Sequence, residues 1–449
     1  HNLTDLQDTQ VQKWLKDQDS LAESYFLNNH LLKQFQERFQ ELEGRARGNI
    51  SLIRHDENGN YFYLRYDESI AADILYYKDR LSDKEIKLFD SSTYPGKSKN
   101  IIYLQPSYDG SKIALGFNPN EDFTTTILIY DLQAKKILSD QITHINPDFG
   151  GVQWLPDSSG IIYLYFPYVE QASAKYKRES FSVIHFLGDN PQKRTPIFGD
   201  DSSLGIEPDY FPKVKLGSSL DSYIIGYAAK SGMFYDSFIA KLSDVMKGNP
   251  RWKPFFKTSD KVYYNQGEIR GQHFIYRRAT PDGNQLCQVN IDNPNFDAPL
   301  ILDSGSREEP ITQFEITKEN IYYIREKFGV EISIFRIDNL QNTVQLKPPF
   351  TPGYATFFGE SVAHDHIGIG MDGWTSNYIR YNIDLQGKFS DEGLLESAHF
   401  PEFQDMVSKQ IMVTSHDGVE VPLSLVYNKD LSLDSNNEVF MYVYGAYGQ

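Results

Sequence analysis

The sequence predicts a mainly β fold: a seven-bladed β-propeller, preceded by a helical segment and followed by the opening strands of another domain. Three observations predict it. Tyr and Phe number 30 and 29 against 4 Trp and 6 Met, and aromatic side chains pack well on a pleated, half-buried sheet surface. A tight polar turn between two alternating apolar runs recurs seven times, and the end of a further strand recurs seven times downstream of those turns. Successive strand ends are about 46 to 56 residues apart, which is the size of one four-stranded blade.

Residues from about Asp5 to Glu43 are rich in Gln, Leu, Glu and Lys and contain no Pro, the composition of helices. Val11, Trp14 and Leu15 fall at helical spacing, as do Leu27, Leu31, Phe35, Phe39 and Leu42. This predicts two or three amphipathic helices within an N-terminal segment of residues 1–48.

Residues 49–400 carry the repeat. The turns are Asn58-Gly59-Asn60, Asp109-Gly110, Asp157 to Gly160, Ser218 to Ser222, Arg270-Gly271-Gln272, Glu319-Asn320 and His364-Asp365. Most contain the Gly, Asn and Asp that suit hairpin turns. The strand ends are Tyr76 to Asp79, Tyr130 to Leu132, His185 to Gly188, Ala240 to Ser243, Val289 to Asp292, Phe335 to Asp338 and Tyr381 to Asp384.

Residues 401–449 leave the repeat. Lys409 to Thr414 and Val419 to Tyr427 read as strands joined by His416-Asp417-Gly418, and Val439 to Tyr444 reads as a third strand running into Gly445-Ala446-Tyr447-Gly448. Three strands with no following helix cannot cover both of their faces, so the segment is expected to open a domain that the sequence truncates.

Lys and Arg total 44 against 61 Asp and Glu, a formal charge of −17. That balance argues against nucleic acid or an anionic membrane as the partner. The single Cys287 leaves no disulfide framework and no Cys-rich metal site. No apolar run is long enough to cross a bilayer as a helix. The reading is of a soluble protein, cytoplasmic or periplasmic, with no cofactor and no metal. His1 stands where an initiator Met would, so a lost leader is compatible with it.

The string Asp417-Gly418-Val419-Glu420-Val421-Pro422-Leu423-Ser424-Leu425-Val426-Tyr427, followed by Tyr442-Val443-Tyr444-Gly445-Ala446-Tyr447-Gly448, resembles the junction in the prolyl oligopeptidase family of serine peptidases. There the chain passes from a seven-bladed propeller into an α/β-hydrolase domain. The wording is most similar to the oligopeptidase B branch, whose members cut after Arg or Lys. Val11 to Asp17, Pro106 to Ala114 and Val152 to Asp157 also resemble stretches of the family. The resemblance implies a serine oligopeptidase acting on short peptides, with the propeller gating access. It implies that the helical segment packs with the hydrolase domain of the same polypeptide. The Ser, Asp and His of the triad would lie beyond Gln449, so this chain alone is expected to be inactive. Tyr444 falls on the family's oxyanion-hole tyrosine, and Tyr447 on an aromatic near the pocket for the residue preceding the cut. The alternative is a free-standing propeller that binds a protein or ligand.

Other chemistry is absent from the pattern. A nucleophile elbow needs Gly-x-Ser-x-Gly, and the nearest approaches, Gly217-Ser218-Ser219-Leu220-Asp221 and Gly359-Glu360-Ser361-Val362-Ala363, lack the second glycine. Both read as ordinary turn or strand serines. His364 and His366 sit two apart, as a metal site on a strand would want, but no third ligand follows and they read as turn residues. Lys175, Lys177 and Arg178 form a basic cluster that reads as a solvated loop, with a peptide carboxylate as its functional alternative.

Overall fold

The computed structural model describes residues 8–27, 29–45, 50–80, 82, 84–96, 99–118, 123–199, 202–328, 330–359, 362–395 and 400–443. The chain divides into two compact units: His1–Gly48 with Glu396–Asp405, and Asn49–Leu395 with Met406–Gln449.

In the first unit, helix α1 spans Thr9–Leu27 and α2 spans His30–Arg45. Val11 is buried, whereas Trp14, Leu15, Phe35 and Phe39 of the predicted stripes are exposed. On α2, Arg45 donates to Glu402 at 2.7 Å and Arg38 to the same carboxylate at 2.6 Å, which ties the helix to the short turn Pro401–Phe403.

The second unit contains seven four-stranded sheets, each ordered 1-2-3-4 along the sequence. Their innermost strands are Ile50–His55, Ile101–Pro106, Val152–Trp154, Phe211–Lys215, Val262–Arg270, Ile311–Ile316 and Tyr354–Phe358. Every pairing within a blade is antiparallel. Strands 1 and 3 therefore run one way and strands 2 and 4 the other. The connections from blade to blade lie at the near mouth of the central channel, where inner strands begin. The 1→2 turns lie at the far mouth.

All seven polar turns read from the sequence are these 1→2 turns, and all seven strand ends close third strands. The reason is that a blade is covered on both faces by its neighbours. Its middle strands bury both sides, as in Tyr61-Phe62-Tyr63-Leu64 and Ile161-Ile162-Tyr163-Leu164, and the chain can turn only in polar residues at the two ends. Outer strands such as Glu85–Asp90 are largely exposed.

The core is seven inter-blade layers rather than one centre. The largest joins blades 4 and 5 through Tyr227, Phe255, Phe256, Phe274 and Tyr276. Phe274 stacks on Tyr276 at 5.3 Å and lies so close to Gly267 that a Cβ there would sit 2.3 Å from its ring. The seam between blades 7 and 1 is different. Among the described residues only Tyr61, Tyr63 and Leu394 are buried in its apolar cluster, against at least eight residues in each of the others. Charge fills the deficit. Arg380, 7% exposed, donates to Glu392 at 2.5 and 2.9 Å and lies 3.5 Å over the Phe358 ring. His55 Nε2 is 3.8 Å from the same carboxylate and its ring stacks on Phe358 at 5.5 Å. Burial would raise the Glu392 pKa, but His55 and Arg380 outweigh it and hold the carboxylate ionised.

Outside the blades, Met406–Thr414 and Glu420–Asn428 pair as a two-stranded sheet. The predicted third strand is corrected: residues 439–443 have no regular structure, and Val439, Phe440, Met441, Tyr442 and Val443 are exposed. An extended apolar run becomes a strand only when a neighbour takes its main-chain hydrogen bonds.

Candidate functional site

The channel formed by the seven inner strands is the candidate site. Three adjoining cavities of about 400, 290 and 280 Å³ share Gly217 near its far mouth. A larger cleft of about 540 Å³ lies at the outer edge between blades 4 and 5, lined by Ile239, Lys241 and Phe255. It sits away from the axis, and its lining mixes Lys241, Arg251 and Lys253 with Asp244 and Asp292.

The far mouth is crossed by the 1→2 turn of blade 4. Ser218 Oγ donates to Glu57 Oε1 at 2.7 Å, the Ser219 amide donates to the same oxygen at 2.9 Å, and Ser219 Oγ donates to Glu57 Oε2. Glu57 belongs to blade 1, three blades away in a ring of seven, so these bonds span the channel. Blade 2 supports the bridge from one side. Tyr108 Oη donates to the Leu216 carbonyl at 3.1 Å, and the Glu57 amide donates to the Tyr108 carbonyl at 2.9 Å. Gly110, at φ +68°, permits the approach, because a Cβ there would lie 2.4 Å from Asp56 Oδ2.

The bridge is rich in carboxylates. Asp221, 8% exposed, accepts from the Gly217 and Ser218 amides at 3.0 and 3.1 Å. Burial pushes its pKa up to about 7, and the nearby Glu268 and Glu57 add to the rise against the two amides. Glu268 pairs with Lys215 on the inner strand of blade 4. Burial also keeps Tyr108 protonated, with Asp221, Glu57 and Glu268 reinforcing it, so its hydroxyl remains a donor.

Other 1→2 turns are tied to their neighbours around the ring. Ser158 Oγ donates to Asp109 at 2.8 Å, Arg270 to the Asn320 carbonyl at 3.1 Å, and Thr317 Oγ1 to Asp365 at 2.9 Å. His364 and His366 face each other at 5.8 Å between ring centroids. Among the described residues no group of three or more His, Cys, Asp or Glu side chains is placed to hold a metal ion.

Tyr444 and Tyr447 lie outside the described residues, as do Glu360 and Ser361. Ser218, read as an ordinary turn serine, is in a turn and is also half of the cross-channel bridge. Lys175, Lys177 and Arg178 lie on the 2→3 loop of blade 3. There Lys175 pairs with Glu179 at 2.8 Å, and Lys177 Nζ rests 4.0 Å over the Phe123 ring. Glu57, Lys213 and Arg380 were not singled out from the sequence. Their partners are 51 to 162 residues away or, for Arg380, just past the last strand of the same blade, and no local pattern marks them.

Comparison with known proteins supplies the family. The family model described as "Prolyl oligopeptidase, N-terminal beta-propeller domain" matches residues 2–296. A prolyl endopeptidase from Elizabethkingia meningoseptica is 21% identical over 414 residues, covering 87% of this chain and 54% of the relative. A chain from a structural study of two prolyl endopeptidases superposes with a TM-score of 0.77 at 18% identity, over 96% of this chain and 61% of its own. Prolyl oligopeptidase B from Galerina marginata, bound to a 35mer hydrolysis and macrocyclization substrate, superposes at 0.74 with 16% identity, over 95% and 61%. These superpositions establish the fold. The chain thus spans 54% of the length of the Elizabethkingia relative. With more than half of its residues matched by the family model, it belongs to the prolyl oligopeptidase family.

Proposed function

We propose that this chain is the propeller-containing portion of a serine peptidase that hydrolyses short peptides, and that the propeller controls which peptides reach the catalytic groups. The observation that carries the reading is the family match over residues 2–296, joined to the closing motif from Asp417 to Tyr427. In this reading the Ser-Asp-His triad belongs to a part of the protein outside this sequence. The Ser would attack the scissile carbonyl, the His would take its proton, and the Asp would orient the His. Tyr444 would donate a hydrogen bond to the developing oxyanion, and Tyr447 would border the pocket for the residue before the cut.

The relatives named as prolyl endopeptidases favour cleavage after Pro. A second reading, cleavage after Arg or Lys, is favoured by the wording of the motif that ends in Tyr444-Gly445-Ala446-Tyr447-Gly448. The test is to assay the product of the full reading frame and the 449-residue chain against short chromogenic peptides with Pro, Arg or Lys before the leaving group. The expected result is serine-inhibitor-sensitive turnover by the full product only, with the Pro substrate preferred. Turnover by the 449-residue chain itself, blocked by a serine-directed reagent, would remove the claim that its triad lies elsewhere. If neither protein turns over any of these peptides, the free-standing binding propeller takes its place. Tyr444→Phe in the full product should lower kcat by about 10²-fold or more at similar KM.

A further inference from the structure

We propose that Lys213 anchors a carboxylate-binding station inside the propeller channel, a subsite for the acidic group of a peptide; this rests on the reading above that short peptides are the ligands. Lys213 sits in the middle of the inner strand Phe211–Lys215 of blade 4. Its Nζ lies 5.2 Å from the Phe149 ring centroid and 5.1 Å from that of Tyr264, and it donates to Tyr264 Oη at 3.0 Å. Phe149 precedes the inner strand of blade 3, and Tyr264 is on the inner strand of blade 5. One side chain can touch both neighbours of its own blade only by lying across the front of its strand, in the lumen. Gly150, which lines one of the channel cavities, agrees: a Cβ built there would be 3.7 Å from Lys213 Cδ.

Among the described residues this ammonium meets no anion. Two residues along the same strand, Lys215 is matched by Glu268. Among the described residues no carboxylate oxygen comes within 4.0 Å of Lys213 Nζ, although the chain carries 61 Asp and Glu. An ammonium has three donors, and Tyr264 takes one. The two aromatic faces hold the charge in place through its attraction to their π-systems and shield it from water on two sides. That arrangement leaves two donors directed from a preorganised cation in a channel whose far mouth is bridged by Glu57 and Ser218. A peptide carboxylate arriving from the near mouth would complete it. The source is either the α-carboxylate of the peptide C-terminus or an Asp or Glu side chain, and the chemistry at Lys213 is the same.

The test is direct binding to the 449-residue chain, which is independent of hydrolysis. Three N-terminally dye-labelled, Pro-containing hexapeptides would be titrated by fluorescence anisotropy: the free acid, its C-terminal amide, and the amide with one internal Glu. The free acid or the Glu peptide is expected to bind about tenfold more tightly than the plain amide, the worth of one hydrogen bond to a charged group. Preference for the free acid identifies the α-carboxylate, and preference for the Glu peptide the side chain. Lys213→Met should erase the preference and Lys213→Arg should keep it, with thermal melting confirming that both variants fold. Equal binding of all three peptides, no binding of any, or a preference that survives in Lys213→Met overturns the station. Hydrolysis by the full reading-frame product is scored separately. Its absence alongside an intact acid preference removes the peptidase reading, and its presence without the preference removes only the station.

Discussion

Ser218 of the fourth blade donates a hydrogen bond to Glu57 of the first at 2.7 Å, across the axis of the propeller. Adjacent blades touch through packed faces, but these two are on opposite sides of the ring, so the bond works as a cross-brace for the far mouth. Removing the carboxylate strips three donors of one acceptor group, since the Ser219 amide and hydroxyl use it as well. Glu57→Ala should therefore cost roughly 2–3 kcal/mol, given ~1.5–3 kcal/mol for a hydrogen bond to a charged group and incomplete additivity. Hydrogen exchange near neutral pH should accelerate most at the Ser219 amide, with the middle strands of the blades changing by no more than the loss of global stability. Unchanged protection at Ser219 would show that the turn holds its place without Glu57.

The seam between blades 7 and 1 makes a different prediction. Three buried apolar residues cannot supply the cohesion that the other interfaces draw from eight or more, so the Arg380–Glu392 pair is structural as well as electrostatic. Glu392→Ala leaves a guanidinium buried beside Phe358 with its acceptor gone, and the expected loss is about 3–5 kcal/mol. Replacing both partners with apolar residues, Arg380→Met with Glu392→Leu, should recover most of it. Urea unfolding of the two variants distinguishes a seam that needs this ion pair from one that needs only filled volume.

Two groups near the far mouth oppose each other in pH dependence. Asp221 titrates at about 7 in the fold against about 3.9 unfolded. Between those values the folded state holds the extra proton, so stability falls as pH rises through the window and stays lower above it. His366 is pushed down to about 4 by burial first and then by His364, His55 and Arg80, against about 6.5 unfolded. There the unfolded state holds the extra proton, and stability falls as pH drops from about 6.5 to 4. In the native chain the two slopes partly cancel. Asp221→Asn should raise stability above pH 7 by on the order of 1–3 kcal/mol and uncover the acid loss due to His366. Denaturant unfolding at pH 4.5, 6 and 8 would reveal both signs. A parallel curve for Asp221→Asn would mean that Asp221 titrates normally.

The propeller was legible because its signals are local. Turn chemistry at Asn58-Gly59-Asn60 or Asp109-Gly110 and the period of two in a strand need only a dozen residues to register, and each fell in the same place in every blade. The cross-brace was illegible for the opposite reason. Ser218 and Glu57 are 161 residues apart, and each alone is an ordinary turn residue. Arg380 and Glu392 carry no mark in their own segments, since nothing local shows that a neighbouring blade covers them. The error at residues 439–443 has the same origin, because alternation describes a residue's readiness to be a strand, and the partner that makes it one is non-local. The same gap hid Lys213, which among the described residues has no carboxylate at ion-pair distance, whereas Lys215 two positions on has Glu268.

Cys287 offers a probe of whether the blades unfold together. It is fully buried in the layer between blades 4 and 5, and burial, only partly offset by Arg278, pushes its pKa up to about 11. A thiol that is both inaccessible and protonated does not react, so a thiol reagent at pH 8 should label the native chain only through opening events. Blade 5 contributes Phe274, Tyr276 and Val289 to the same layer, and removing Phe274 should cost about 3–5 kcal/mol. In Phe274→Ala the labelling rate should then rise by at least 10²-fold, at about 1.4 kcal/mol per decade, if reclosing is fast relative to reaction. If Glu392→Ala at the distant 7–1 seam accelerates labelling by a factor matching its own loss of stability, Cys287 is exposed by global unfolding and the ring is one cooperative unit. If only Phe274→Ala accelerates it, the 4–5 interface opens by itself, and the propeller behaves as a chain of separately stable layers.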